Sequence, residues 1–369
     1  MFVVPKYLPK ADGSVGPSNG VSCTGIEHKM GLKASATCQM SFDESTGWLV
    51  GEPNSGLNAM FTMMNTERVS VGVQGLGVAT AAYQSAVAYA KDRIQGRALS
   101  GPKRPDLAAD PIIVHPDVRR MLMTMRAYSE GCRALSLWVA RALDAERHSE
   151  DPDIRQRAED MTALMTPVVK ALLTDLGHEA AQLGIQVYGG HGYIREHGVE
   201  QYARDARIAM LYEGTNGVQA LDLVGRKLPA HGGRYLRAFF HPVSEFIEQH
   251  KAVPGMEKMV DALEKAFGAL QLSTATIAQK GMADPEEAGA ASSDYLRLLG
   301  LVAIAYLFAK SAKIAGMKTT MGKDPDGFYA AKLVTVRFFY ERILPQVAGL
   351  FAAIKAGKAS MMDLPEEAF

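Results

Sequence analysis

The sequence predicts a mainly α-helical protein: a partial β-domain remnant, then a four-helix bundle, then an additional C-terminal helical domain. Three observations carry that prediction. Beyond Leu57 the chain falls into long helical stretches with short connections, the pattern of a bundle. Before it, short alternating segments lie among Gly, Ser and Pro, as strands and turns do. Pro229-Ala230-His231-Gly232-Gly233 then interrupts the helical part as a linker would. The expected domains are residues 1–56, 57–230 and 231–369.

The β piece rests on an apolar start at Phe2-Val3-Val4-Pro5, on Ala36-Thr37-Cys38-Gln39-Met40-Ser41-Phe42-Asp43, and on Trp48-Leu49-Val50-Gly51. So few strands cannot stand as a sheet without cover. The segment is therefore expected to be the C-terminal part of a β-domain, with edges prone to aggregate. The first long helix covers residues 65–97 and carries Gly72, Gly75 and Gly77. Each glycine costs about 1 kcal/mol relative to alanine there, so close approach of another backbone is expected as compensation. Residues 117–147 and 153–183 are two more long amphipathic candidates, and 196–210 and 215–228 are shorter ones. Past the linker, helices are expected over 235–250, 256–281, 292–317 and 328–354, with Pro285 and Pro325 at breaks.

Lys and Arg together count 40, as do Asp and Glu, so net charge is zero. No broad attraction to nucleic acid or an anionic membrane follows from it. Cys23, Cys38 and Cys132 form no CxxC pair and are expected to be buried thiols in a reducing compartment. The longest apolar run, residues 298–309, falls short of the roughly 20 residues that cross a bilayer and is expected to be a buried helix. The N-terminus shows no secretion signal, so a cytoplasmic location is expected.

Two interruptions of the helical pattern carry the chemistry. One is Gln186-Val187-Tyr188-Gly189-Gly190-His191-Gly192-Tyr193. The other is Arg204-Asp205-Ala206-Arg207-Ile208-Ala209-Met210-Leu211-Tyr212-Glu213-Gly214-Thr215-Asn216. A lone glutamate at Glu213 would more often be a turn residue, with Thr215 or Asn216 capping the next helix. Gly189-Gly190 alone would be a plain helix break, and Arg93 alone a solvated cation at a helix end. No metal-ligand spacing, Ser-His-Asp set or phosphate-binding P-loop accompanies them, so a redox step would draw on an organic cofactor.

Together, however, these segments resemble the C-terminal signature of the acyl-CoA dehydrogenases, and the resemblance covers residues 2–228. It implies that Glu213 is the base that removes the α-proton of an acyl thioester, with Arg68, Tyr212 and Gly214 on the substrate side. It also implies FAD as cofactor, with Arg93, His115, Gln186, Gly189, Gly190, Thr215 and Asn216 contacting it, several from the neighbouring subunit of a homodimer. Such roles agree with the residue types. An arginine fork suits a diphosphate, glycine permits close backbone approach, and proton removal beside a thioester needs a positioned base with enolate stabilisation. His115-Pro116 departs from the usual His-Gln, leaving Pro116 without a ligand role. The Arg204-Asp205 pair is expected to support the glutamate loop.

The stretch Ile26-Glu27-His28-Lys29-Met30-Gly31-Leu32-Lys33-Ala34-Ser35-Ala36-Thr37-Cys38 resembles more narrowly the long members that oxidise 3-(methylthio)propanoyl-CoA, an intermediate of dimethylsulfoniopropionate breakdown. Those carry a C-terminal helical extension, as residues 235–369 would be. The expected reaction is dehydrogenation of this or a short or medium acyl-CoA to the trans-2-enoyl-CoA, with an electron-transfer flavoprotein as acceptor. Two alternatives stay open: an acyl-CoA oxidase, or a fragment that acts only as a helical dimer, since the family's N-terminal helical domain and first half-β-domain have no counterpart here.

Overall fold

Short, Gly- and Pro-punctuated strands pair only locally in the computed structural model, which describes residues 1–369. The chain divides into two compact units, Met1–Arg68 and Val69–Phe369.

In the first unit six strands form three antiparallel pairs: β1 (Phe2–Val3) with β6 (Trp48–Leu49), β2 (Tyr7–Pro9) with β3 (Val15–Ser18), and β4 (Val21–Ile26) with β5 (Cys38–Phe42). Buried Asn19 ties the pieces together. Its amide donates to Pro5 O at 2.9 Å and Thr46 O at 2.8 Å, and its carbonyl accepts from Thr46 N at 2.8 Å. Phe2, Phe42 and Trp48 stay exposed, as the outward faces of two-stranded ribbons must be. The thiol expectation is corrected here. Cys132 is buried, but Cys23 and Cys38 lie on these uncovered ribbons and are exposed, and all three thiols are free.

Helix α1 (Gly56–Asp92) starts nine residues earlier than expected, then α2 (Pro116–His148) and α3 (Pro152–Tyr188) follow. Asp151 caps α3 by accepting from Asp153 N at 2.8 Å, and Pro152 supplies a first-turn residue that needs no donor. Within the second unit α1 and α3 touch backbone to backbone. A Cβ on Gly75 would lie 2.5 Å from Leu173 O, and one on Gly177 would lie 2.5 Å from Gly75 O. This is the compensation the sequence called for at Gly72 and Gly75. Gly77 has open space instead.

The rest of the unit comprises α4 (Glu200–Arg207), α5 (Asn216–Asp222), α6 (Arg234–His250), α7 (Glu257–Ala283), α8 (Pro285–Thr320), α9 (Phe328–Phe338), α10 (Gln346–Ala356) and the short α11 (Ala359–Met362). One continuous apolar core joins α2 and α3 to α5 through α10. The run 298–309 lies in α8, buried throughout. By length and composition α8 is the one helix able to cross a membrane, and 78% of its most apolar window is buried inside the protein. Three expected helices are interrupted: 196–210 is broken at Gly198 (φ 71°), which leaves α4 between two 3₁₀ turns, and the other two carry π-turns. Residues 223–227 and 339–343 form π-turns, closed by Leu228 N to Leu223 O and Leu344 N to Phe339 O. The second ends two residues before Pro345, whose ring cannot continue an α-helix, so 328–354 splits into α9 and α10.

Candidate functional site

Residues 211–215 bridge a 3₁₀ turn after α4 to the start of α5. Glu213 sits there at φ 56° and Gly214 at φ 80°, two successive left-handed residues. For a glutamate this conformation costs on the order of 1 kcal/mol or more and persists only where surroundings enforce it. The enforcement comes from behind. Lys170 of α3, with no solvent exposure, donates from Nζ to Gly214 O and to Asn216 Oδ1, each at 2.8 Å. Gln219 Nε2 donates to Glu213 O at 3.0 Å. Thr215 caps α5 by accepting from Val218 N at 3.3 Å. The carbonyls of the loop are thus held by Lys170 and Gln219, and the Glu213 side chain is half-buried with its Oε2 shielded from solvent.

Asn216 is held on its other side. Its Nδ2 donates to Asp175 Oδ1 at 2.7 Å, to Thr174 Oγ1 at 3.0 Å and to Ala171 O at 3.2 Å. Burial pushes the Asp175 carboxyl above the usual carboxylate range, while the Asn216 amide and the charges of Arg297 and Lys170 pull it back down. Tyr212 donates its hydroxyl to Gln74 on α1, with its ring partly exposed. Arg204 pairs with Glu200 within α4.

A second cluster surrounds a cavity of about 660 Å³ beyond the C-terminal end of α1. Arg93, His115, Gln186, Gly189 and Gly190 all line it, so five of the seven residues expected on the cofactor meet at one place. His115 Nε2 lies 2.9 Å from Gln95 O. Gly189 ends α3 at φ 60°, and a Cβ added at Gly189 or Gly190 would enter open space, a cradle kept clear of side chains. Tyr89 stacks on Tyr188 at 4.0 Å and its hydroxyl lies 2.9 Å from His191 Nδ1. Thr215 and Asn216 lie outside this cavity, in the glutamate loop. Pro116 opens α2, which accounts for a proline where the motif usually has glutamine. Arg68 is buried on α1 in the first unit, its guanidinium 5.9 Å from the Phe61 ring centre.

Lys170, Asp175, Gln219, Tyr89 and Tyr188 were not singled out from sequence. For Lys170 a signal existed: one cation inside Val168-Val169-Lys170-Ala171-Leu172-Leu173 has to be satisfied internally.

A family model described as acyl-CoA dehydrogenase, C-terminal domain, matches residues 54–228, and one described as acetyl-CoA dehydrogenase C-terminal like matches residues 239–365. The chain is 41% identical over 345 residues to 3-methylmercaptopropionyl-CoA dehydrogenase of Ruegeria pomeroyi, covering 93% of this chain and 58% of that protein. It is 33% identical to a butyryl-CoA dehydrogenase of Syntrophomonas wolfei, across 100% of this chain and 61% of that one. A broad-specificity linear acyl-CoA dehydrogenase of Mycobacterium tuberculosis is also 33% identical, with 100% and 63% covered. The chain therefore spans less than two thirds of the length of these relatives. Among solved structures, ACDH-11 of Caenorhabditis elegans in complex with C11-CoA superposes with a TM-score of 0.73 at 19% identity, over 92% of this chain and 56% of that one. An acyl-CoA dehydrogenase of Bacillus anthracis complexed with FAD gives the same TM-score and identity over 91% and 56%. At that identity the likeness speaks for the fold.

Proposed function

We propose that this chain, which belongs to the acyl-CoA dehydrogenase family, supplies the base and part of the cofactor cradle for α,β-dehydrogenation of an acyl-CoA thioester. The observation that carries this reading is Glu213 itself. It is a half-buried carboxylate on a left-handed turn, with Oε2 shielded from solvent and the turn's carbonyls fastened by Lys170 and Gln219, which is the setting of a positioned base. Glu213 takes the α-proton, and the rigid turn keeps its carboxylate in place while charge develops on the thioester. FAD, when bound, supplies the two-electron acceptor that no side chain provides.

The residues present fit that cofactor. Arg93 offers a planar fork to a diphosphate, the clear space over Gly189 and Gly190 lets a ligand approach the backbone, and Gln186 and His115 add polar contacts. Because this cavity and the glutamate loop are separate places on one chain, a homodimer in which each copy completes its partner's cofactor site is part of the reading. The substrate proposed is 3-(methylthio)propanoyl-CoA or a similarly short acyl-CoA, supported by the 41% identity to a relative of that name. An electron-transfer flavoprotein is the proposed acceptor.

The test is to purify the protein, titrate it with FAD, and add 3-(methylthio)propanoyl-CoA or butyryl-CoA without oxygen. Bound flavin that bleaches with formation of the enoyl-CoA supports the reading. Failure to bind FAD at any concentration would sink it and leave a helical scaffold. Rapid reoxidation of the bleached flavin by oxygen would assign the oxidase variant.

A further inference from the structure

Helix α8 places one cation beside the polar cluster that anchors the glutamate loop. Arg297 Nη1 donates to Glu179 Oε1 on α3 at 2.7 Å, and the Tyr128 hydroxyl donates to Glu179 Oε2 at 3.0 Å. Four residues before Glu179 on the same helix stands Asp175, the acceptor for Asn216 Nδ2. Positions i and i+4 are neighbours on a helix face, so two carboxylates there repel unless a cation lies between them.

The Asn216 amide has only one orientation that serves all its neighbours. Nδ2 faces three acceptors, the Asp175 carboxylate, Thr174 Oγ1 and Ala171 O, which leaves Oδ1 to face the ammonium of Lys170. Lys170 with its second hydrogen bond holds Gly214 O, next to Glu213. Turned over, the amide would set its NH₂ against an ammonium and its oxygen against a carboxylate.

We propose that Arg297 is a positioning residue for the Glu213 loop, acting through the carboxylate of Asp175 and the amide of Asn216. The helical segment beyond the bundle thereby contributes one side chain to the order of the proton-abstracting turn. Burial and the Glu179 charge both push the Asp175 carboxyl up, and Arg297 is one of three groups that oppose them. Removal of Arg297 moves Asp175 toward its neutral form. A neutral carboxyl has a proton of its own to place and accepts more weakly, so the grip on the Asn216 amide loosens, with Lys170, Thr174 and Ala171 still facing it.

That Glu213 is the base rests on the reading above, so the first readout avoids catalysis altogether. Amide hydrogen exchange is followed over residues 211–217 in the intact protein for Arg297→Met, Arg297→Lys, Asp175→Asn and the Arg297→Met/Asp175→Asn double variant. Arg297→Met is expected to speed exchange in this loop about tenfold, Arg297→Lys to restore most protection, and the double variant to exchange little faster than Asp175→Asn alone, because both changes act through one carboxylate. In the FAD-loaded enzyme the same variants should lose kcat with little change in KM. Unchanged loop exchange in Arg297→Met, or fully additive effects in the double variant, would overturn the proposal and leave Arg297 a clamp between α3 and α8. If Arg297→Met does not fold, the lysine and Asp175→Asn variants decide: a protected loop in Asp175→Asn overturns it. Loss of loop protection in a protein that never turns over would refute the function while keeping this inference.

Discussion

Replacing Lys170 by methionine keeps the length of the side chain and fills its slot, so little cavity is created, but it removes both hydrogen bonds to the loop. Two acceptors lose their main donor. Gly214 O keeps Gln219 Nε2 at 3.4 Å, a long contact, and Asn216 Oδ1 keeps only Thr174 Oγ1 at 3.5 Å. A buried acceptor left unmet costs about 1–3 kcal/mol. Against this, methionine spares the desolvation of a buried ammonium, an offset of a few kcal/mol at most. The net expectation is a loss of about 2 kcal/mol, or a Tm lower by roughly 3 °C for a cooperative unit of this size. The larger effect falls on the turn. Glu213 at φ 56° relaxes once its anchor is gone, and a misplaced base costs on the order of a hundredfold in rate. Calorimetry and turnover on the FAD-loaded Lys170→Met variant measure both. A variant with wild-type Tm and wild-type turnover would refute the claim that Lys170 holds the loop.

Gly75→Ala should destabilise by about 1–3 kcal/mol in thermal unfolding, because its Cβ meets the α3 backbone at Leu173 and cannot be relieved by side-chain motion. Gly77→Ala, with open space around it, should instead stabilise by about 1 kcal/mol through helix propensity. Asp110 governs the loop beside the cofactor cavity. Burial alone would raise its carboxyl, but the N–H groups of Ala98, Arg104 and Lys103 and the charge of Arg97 bring it down to about 2 from 3.8. A depressed carboxylate stabilises above its unfolded pKa, so its contribution should be intact above about pH 4 and fall away toward pH 2. Acid unfolding curves should show that fall in the wild type and lack it in Asp110→Asn. Arg93→Ala should weaken FAD binding at least tenfold in a fluorescence titration without changing Tm of the apoprotein, since its side chain is exposed.

Local signals in the sequence reached far into this structure. Asp151-Pro152 opens α3 one residue before the expected 153, whereas Asp284-Pro285 opens α8 seven residues before the expected 292, at a proline read from sequence only as a break. Gly72 and Gly75 announced a close helix contact because nothing local compensates a glycine in a helix. The gathering of Arg93, His115, Gln186, Gly189 and Gly190 followed from motif resemblance rather than from local physics. What stayed hidden is non-local. Lys170 meets Gly214 across 44 positions and Arg297 meets Glu179 across 118, and no periodicity encodes such pairs. The π-turns at 223–227 and 339–343 were hidden for a different reason, since one inserted residue barely disturbs an apolar stripe.

The central claim is that Glu213 is the base, and the Glu213→Gln variant tests it most directly. The substitution keeps the shape of the side chain and the carbonyls that Lys170 and Gln219 hold, so FAD should bind as in the wild type. On anaerobic addition of 3-(methylthio)propanoyl-CoA or butyryl-CoA, the wild-type flavin band should bleach and that of the variant should persist. A Glu213→Gln protein whose flavin bleaches at the wild-type rate would contradict the account.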